Sequence, residues 1–197
     1  MLRRLVLTAA ALVAAVSIVP SAFAARVHMR VEGKTLTLFG PTEPTVDAAN
    51  ALQALDVASV LGEFYYHTSI AFGAPYVDQI GKYPGAGAAG WVYKVDGTSG
   101  QTSADQAALK DGDTVLWYWA DFSSNTGPPT LRIARAGKCY SVVAQDDTGK
   151  SSPAAGALVH AGSRSLKANA AGRACPGKHT GLVWATLTGD VRSNRIA

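Results

Sequence analysis

Cysteine, methionine and histidine are scarce in this 197-residue chain, at two, two and four residues. Their scarcity removes several kinds of chemistry at once. The histidines, His28, His67, His160 and His179, lie far apart, and none forms a close metal-ligand pair or belongs to the two-His-plus-Glu helix motif of zinc hydrolases. Surface or turn positions are their default. His67 is set apart because it follows Tyr65 and Tyr66 in an aromatic, irregular stretch. Asp111-Gly112-Asp113 and Asp146-Asp147 lack the spaced oxygen ligands of a calcium loop and read as turn aspartates. A strained Gly-x-Ser-x-Gly turn is also missing. With no convergent acid, base and nucleophile to assemble, the chain is expected to be no enzyme and to need no cofactor.

Long hydrophobic runs are absent too, except at the start. Arg3 and Arg4 precede an apolar stretch, Leu5 to Val19, and Ala22-Phe23-Ala24 supplies a small-x-small cleavage site. The segment 1–24 therefore reads as a secretory signal peptide, with the mature chain beginning near Ala25. The apolar stretch is short for a span of roughly 20 residues. The paired arginines invite a twin-arginine reading, but the residues that would support it are missing, so general secretion is favoured. Whether the segment is cleaved or kept as a short anchor stays open.

Charge of one sign is unevenly spread. From Arg26 to Pro129 six Lys and Arg stand against eleven Asp and Glu, or −5, and from Thr130 to Ala197 ten stand against three, or +7. An acidic half and a basic half of these lengths suggest two modules, which either attract each other or leave the basic one to meet a wall polymer or an anionic surface. Export makes nucleic acid an unexpected partner. The two cysteines, Cys139 and Cys175, both lie in the basic half. In an exported chain they read as one disulfide, worth roughly 3–4 kcal/mol to a module too small to bury much area.

Along the mature chain, Val27 to Val31 and Thr35 to Phe39 alternate about Glu32-Gly33-Lys34 and read as a hairpin. A helix is expected from an N-cap at Thr45, through Val46, Ala49, Leu52 and Leu55, to a stop at Gly62. Residues 63–90 are aromatic and glycine-rich with no sustained period; a connection this long is functional or holds short strands of its own. Trp91 to Val95 is a strand closed by Asp96-Gly97, Ala104 to Leu109 a candidate helical turn, and Thr114 to Ala120 an aromatic strand. Residues 123–130 read as a linker. Beyond it, strands are expected at Leu131 to Ala134, Tyr140 to Gln145, Leu158 to Ala161, Arg164 to Ala168 and Leu182 to Thr188.

Two motifs tempt and fail on context. Gly85-Ala86-Gly87-Ala88-Ala89-Gly90 spells a dinucleotide fingerprint, but a strand follows it where a helix N-terminus should hold the pyrophosphate, so a flexible glycine loop is expected. Gly149-Lys150-Ser151 resembles the end of a phosphate loop, yet Ala144 stands where its first glycine belongs and Pro153 discourages the helix. The aromatic strands are the better signal. Trp91, Tyr93 and Val95 share one strand face, and Val115, Trp117 and Trp119 another, opposed by Leu116 and Tyr118. With both faces of Thr114 to Ala120 apolar, either the sheet is buried on both sides or one side is a platform for a flat ligand or a protein.

The order of these features resembles the transcobalamin carboxy-terminal-domain-like family, within the soluble ligand-binding β-grasp group. The residues that carry the likeness are Thr45 to Leu52, Gly90-Trp91-Val92-Tyr93-Lys94-Val95-Asp96-Gly97, and Leu109 to Tyr118, within a span of roughly Val27 to Asp121. The resemblance implies a sheet clasping one helix, without catalysis, in a family whose animal members help enclose cobalamin. This chain departs from them by lacking the large helical domain that forms the other wall of that pocket, so a cobalamin-like ligand is not expected of it alone. Ligand contacts are sought first at Tyr66, His67, Phe72 and Tyr76, then at Trp91 and Trp117, which core packing would equally explain. The basic half resembles small bacterial immunoglobulin-like or carboxypeptidase-regulatory-like sandwiches at Asp147-Thr148-Gly149, Ala155 to Val159, Asn169 to Ala174 and Pro176 to His179, with Arg192 to Arg195 suited to a final strand.

The expected architecture is thus α+β: a β-grasp-like domain over 25–122, a mixed sheet clasping one helix, followed by an all-β sandwich over 131–197. The expected function is an exported, non-catalytic module that binds a small molecule, a cell-envelope component or a protein partner. The alternative is a structural or adhesive surface protein with no small-molecule ligand.

Overall fold

A computed structural model describes residues 24–197; the expected signal segment lies almost wholly outside them. The first module runs β1 (Ala25–Glu32), β2 (Thr37–Phe39), β3 (Thr45–Ala48), α1 (Ala51–Leu61), β4 (Tyr66–Ala71), β5 (Ala74–Ile80), β6 (Tyr83–Pro84), β7 (Ala89–Val95), β8 (Thr98–Ser99) and β9 (Thr114–Asp121). Its main sheet has the order β2-β1-β9-β7-β8, with β3 also paired to β1. The β1–β9 pair is parallel and the other pairs are antiparallel. One helix packs on one face of this mixed sheet, the β-grasp-like arrangement. A smaller antiparallel sheet, β4-β5-β6, accounts for most of the stretch without a period.

The helix is shorter than its sequence pattern suggests. Thr45 to Ala48, expected as its N-cap and first helical residues, is strand β3, paired with Ala25 to His28. Val46 and Ala48 alternate inward, and the ladder to β1 satisfies backbone groups that a helical turn would otherwise have bonded internally. The cap is Asn50, whose Oδ1 accepts from Gln53 N at 2.8 Å, while Gln53 Oε1 reaches back past the cap to accept from Ala49 N at 2.7 Å. The buried stripe is Ala51, Ala54, Leu55 and Ala58. Residues 104–109 form turns rather than a helical turn. The Ala107 and Ala104 carbonyls accept from Ala51 N and Leu52 N, so this loop closes the end of α1.

The second module comprises β10 (Thr130–Ala136), β11 (Cys139–Gln145), β12 (Ser151–Pro153), β13 (Leu158–Ala161), β14 (Arg164–Lys167), β15 (Arg173–Ala174) and β16 (Val183–Thr186). One sheet is β10-β11-β12 with β15 on β11, the other β14-β13-β16. Leu131, Tyr140, Val142, Val159, Val183 and Ala185 fill the core between them, as in a small β-sandwich. Cys139 and Cys175 are bonded. Arg192 to Arg195 forms no strand. Side chains satisfy the chain there instead: Ser193 Oγ accepts from Ala185 N, and Asn194 Oδ1 from Ile133 N.

The two modules touch across the outer face of the main sheet. Leu116, Tyr118 and Ala120 of β9 form a buried cluster with Val191, flanked by Val92 and Phe122. Charges ring this patch. Glu32, fully buried, accepts from Arg30 at 3.2 Å and from Arg192 Nε at 3.0 Å, while Arg132 reaches Glu43 at 3.1 Å. Lys94, also fully buried, donates to the Asp146 carbonyl at 2.9 Å and the Gln145 carbonyl at 3.3 Å. The sheet is therefore buried on both sides, by the helix on one and by the second module on the other.

Candidate functional site

A cleft with mostly apolar walls, about 420 Å³, lies beside strands β5 and β7. Strand β7 forms its floor with Trp91 and Tyr93, β5 one side with Pro75, Tyr76 and Val77, and the loop after β8, from Ser99 to Ala104, the other. Trp117 reaches it from β9, and Phe122 and Asp147 close its far end. Concave, mostly apolar walls with a few fixed polar groups are the usual make-up of a ligand pocket.

Each wall is held by a traceable contact. Trp91 Nε1 donates to the Tyr83 carbonyl at 2.7 Å and Trp117 Nε1 to the Ala51 carbonyl at 3.0 Å, so both indoles spend their polar atom inside the protein and leave only apolar ring for other contacts. Tyr93 Oη donates to the Thr102 carbonyl at 2.8 Å, and its ring lies 5.4 Å from that of Trp117. Gly100 must be glycine for this to happen, because a Cβ there would overlap the Tyr93 ring. Gly90 plays the same part for Tyr76, whose Oη would stand 2.6 Å from an added Cβ.

The far end is electrostatically pinned. Asp147, from the second module, accepts from Ser99 Oγ at 3.0 Å and from Gly127 N at 3.3 Å, and lies 3.5 Å from Lys94 Nζ. Burial depresses the Lys94 pKa, although Asp147 and Asp146 pull it back up. Burial, then the neighbouring Asp147, raises the Tyr118 hydroxyl pKa. These groups are committed to one another, and nothing among the lining residues is placed as a base with a free partner.

The six residues singled out from the sequence divide evenly. Tyr76, Trp91 and Trp117 line the cleft, although the two tryptophans are 1% and 3% exposed and contribute as core side chains whose edges reach it. Tyr66, His67 and Phe72 do not line it. Tyr66 packs on the core and donates to Asp56 at 3.3 Å; burial and then Asp56 raise its pKa. His67 is paired with Asp78 at 2.7 Å on the exposed side of the β4–β5 hairpin. Phe72, at φ 54°, forms the hairpin tip with Gly73 and projects fully into solvent. Sequence reasoning missed the Ser99 to Ala104 loop, Tyr93, Phe122 and Asp147. The Tyr93–Gly100 approach could have been suspected from a glycine so soon after the Asp96-Gly97 turn; Asp147 had no local signal, since it arrives from the other module.

Two other concavities are more polar. One, about 400 Å³ at the module junction, holds Lys34 with its Nζ 4.7 Å over the Trp119 ring, together with Asp121, Asp190 and Arg192. Burial there pushes the Asp190 carboxyl up to about 6. The glycine run 85–90 is the turn between β6 and β7, with Ala86 and Ala89 exchanging two backbone bonds. Among the described residues no three His, Cys, Asp or Glu side chains gather as a metal site.

Residues 48–121 match the model of a family described as a domain of unknown function (DUF4430), a stretch running from the end of β3 to the end of β9 and containing nearly the whole cleft. No curated protein matches the chain. It thus carries a region similar to that domain, followed by a β-sandwich-like region.

Proposed function

We propose that this is an exported, non-catalytic binding protein whose β-grasp-like module holds a ligand in the cleft beside β7, with the sandwich module as a fixed wall and spacer. The observation that carries the reading is the convergence of Tyr76, Trp91, Tyr93 and Trp117 on one cleft of about 420 Å³. Their apolar surface is the part left for a ligand. Export is supported by the character of residues 1–24 and by the Cys139–Cys175 bond, which persists in oxidising compartments. A transcobalamin-like ancestry is supported by the single helix clasped by a mixed sheet. A corrin ring would need a broader second wall than this cleft supplies, so the ligand is a smaller molecule or a segment of one.

A thermal-shift screen tests the site, because a ligand present at 100 times its Kd stabilises the folded chain by about 2.7 kcal/mol. Tyr76→Ala should abolish the shift while leaving the unliganded melting temperature nearly unchanged, since Tyr76 is 41% exposed. A ligand-induced shift that survives Tyr76→Ala would remove the cleft from consideration. A second reading, an adhesive surface protein, is favoured by one feature: from Thr68 to Val77 the hairpin carries no charge and ends on exposed Ile70 and Phe72. In that case Phe72→Ser would weaken surface attachment and Tyr76→Ala would not.

A further inference from the structure

We infer that the disulfide-bearing end of the sandwich module is a docking surface for an acidic polysaccharide; the inference does not depend on what the cleft binds. It begins from the opposed charges of the two halves. Of the ten Lys and Arg from Thr130 onward, only Arg132 and Arg192 pair with the acidic module, at Glu43 and Glu32. The other eight form no ion pair among the described residues. Attraction between the modules therefore accounts for two cations and leaves most of the positive charge on the surface.

The three carboxylates of this half are segregated from those cations. Asp147 lies 3.5 Å from Lys94 Nζ, the neighbouring Asp146 carbonyl accepts from the same Nζ at 2.9 Å, and Asp190 lines the junction cleft. Neither 130–145 nor 148–189 holds an Asp or Glu. All the acidic side chains of the module thus sit at the junction, and the rest of its surface has none to neutralise its charge.

Four cations are gathered at the disulfide end. Lys138 lies in the β10–β11 turn next to Cys139, whose bonded partner Cys175 opens the loop that carries Lys178. Arg164, the first residue of β14, donates to the Pro176 carbonyl at 2.8 Å and so ties its strand to the same loop. Arg135, near the end of β10, holds its guanidinium 5.5 Å from the Tyr140 ring, whose hydroxyl is bonded to His179 Nε2 at 2.8 Å. The other nitrogen of His179 meets the Gly177 carbonyl at 2.7 Å, so the imidazole braces the loop at both ends. All four cations are exposed, yet strands and the disulfide hold their backbone in place, which leaves binding little main-chain freedom to remove.

The aromatic residues select the partner. Single-stranded nucleic acid is held by exposed rings, and a membrane surface by Trp and Tyr at its interface. The module has two aromatic residues, and neither is free for this: Tyr140 is 1% exposed, and Trp184 is half-buried with the His160 ring and the Arg195 guanidinium against it. Nor, among the described residues, does the module have a helix to lay in a duplex groove. An acidic polysaccharide needs none of these. Its anionic groups recur along a flexible chain, and each can meet an Arg fork or a Lys ammonium on a different turn.

The test titrates polygalacturonate into the protein, beside neutral dextran, a short DNA duplex and phosphatidylglycerol vesicles. Polygalacturonate should bind at about 50 mM salt and weaken about tenfold or more at about 200 mM, while dextran should not bind. Lys138→Gln with Lys178→Gln, both exposed positions, should weaken binding about tenfold with the melting temperature unchanged. Lys82→Gln with Lys110→Gln, the same charge change made on the acidic module, should alter it less than about twofold. Equal losses from the two double variants would overturn the surface, as would no binding of polygalacturonate at low salt. Tighter binding of the duplex or the vesicles than of polygalacturonate would overturn the polysaccharide as its partner.

Discussion

The two faces of the central strand β9 are both buried, yet they are built from different materials. On the helix side Val115 and Trp117 meet Ala51, Leu55 and Met29, and the main polar atom, Trp117 Nε1, is answered by one helix carbonyl. On the module side an apolar patch of Leu116, Tyr118 and Ala120 is bordered by Arg30, Glu32 and Lys94, all buried and all bonded to partners, several of them in the second module. The helix side is a folding core, whose energy grows with area and depends little on orientation. The module side is directional, because buried charges are tolerable only when each finds its partner in one geometry. A fixed angle between the modules follows, and with it the placement of Asp147 at the cleft.

The largest break in this comparison is expected from Glu32→Ala. It strips buried Arg30 of a partner and Arg192 of its carboxylate, and should cost about 3–5 kcal/mol by urea unfolding. A loss no greater than that of an exposed pair would show that the ring of charges is incidental. Next, Cys139→Ser with Cys175→Ser opens a loop of 36 residues and should cost about 3–4 kcal/mol. If the junction couples the modules, the melt stays a single transition at lower temperature; two separated transitions would mean that the module-side face is too weak to unify them.

Asp190 sharpens the comparison through pH. Its folded-state value of about 6 lies above the ordinary carboxylate range, so the folded chain holds a proton that the unfolded chain has already released. Stability should therefore fall as pH rises from about 4 to 6 and stay lowered above it. Asp190→Asn should flatten that slope and raise stability at pH 7 by about 1–2 kcal/mol, the value being held down by the partial exposure of the site. The smallest effect belongs to a residue on neither face: Phe72→Ser should move stability by no more than about 0.5 kcal/mol.

Much of the fold was legible because its signals are local. The hairpin at β1–β2, the strand closed by Asp96-Gly97, the aromatic strand β9 and five strands of the sandwich were each marked by alternation and turn residues. Errors fell where a distant partner outbid a local pattern. Thr45 to Ala48 carried an acceptable helix start, but the edge of β1 recruited it as a strand. Ala104 to Leu109 carried a helical turn, but its carbonyls went to the end of α1. Ser193 and Asn194 took backbone bonds that a final strand would have made. The site was half legible for the same reason: aromatic residues announce themselves, whereas which rings converge depends on how the β4-β5-β6 sheet packs beside β7.

The single helix, the aromatic strands beside it, the disulfide pair, the opposed charges of the two halves and the rejection of the glycine fingerprint were all determined by the sequence alone, since each rests on residue type and near neighbours. Only the tertiary structure decided what covers the outer face of β9 and which of six candidate side chains share a cleft. Those depend on segments distant in sequence, the bonds across the module junction joining residues 36 to 162 apart, where burial and hydrogen-bond completion across the whole fold, rather than the preferences of any segment, set the outcome.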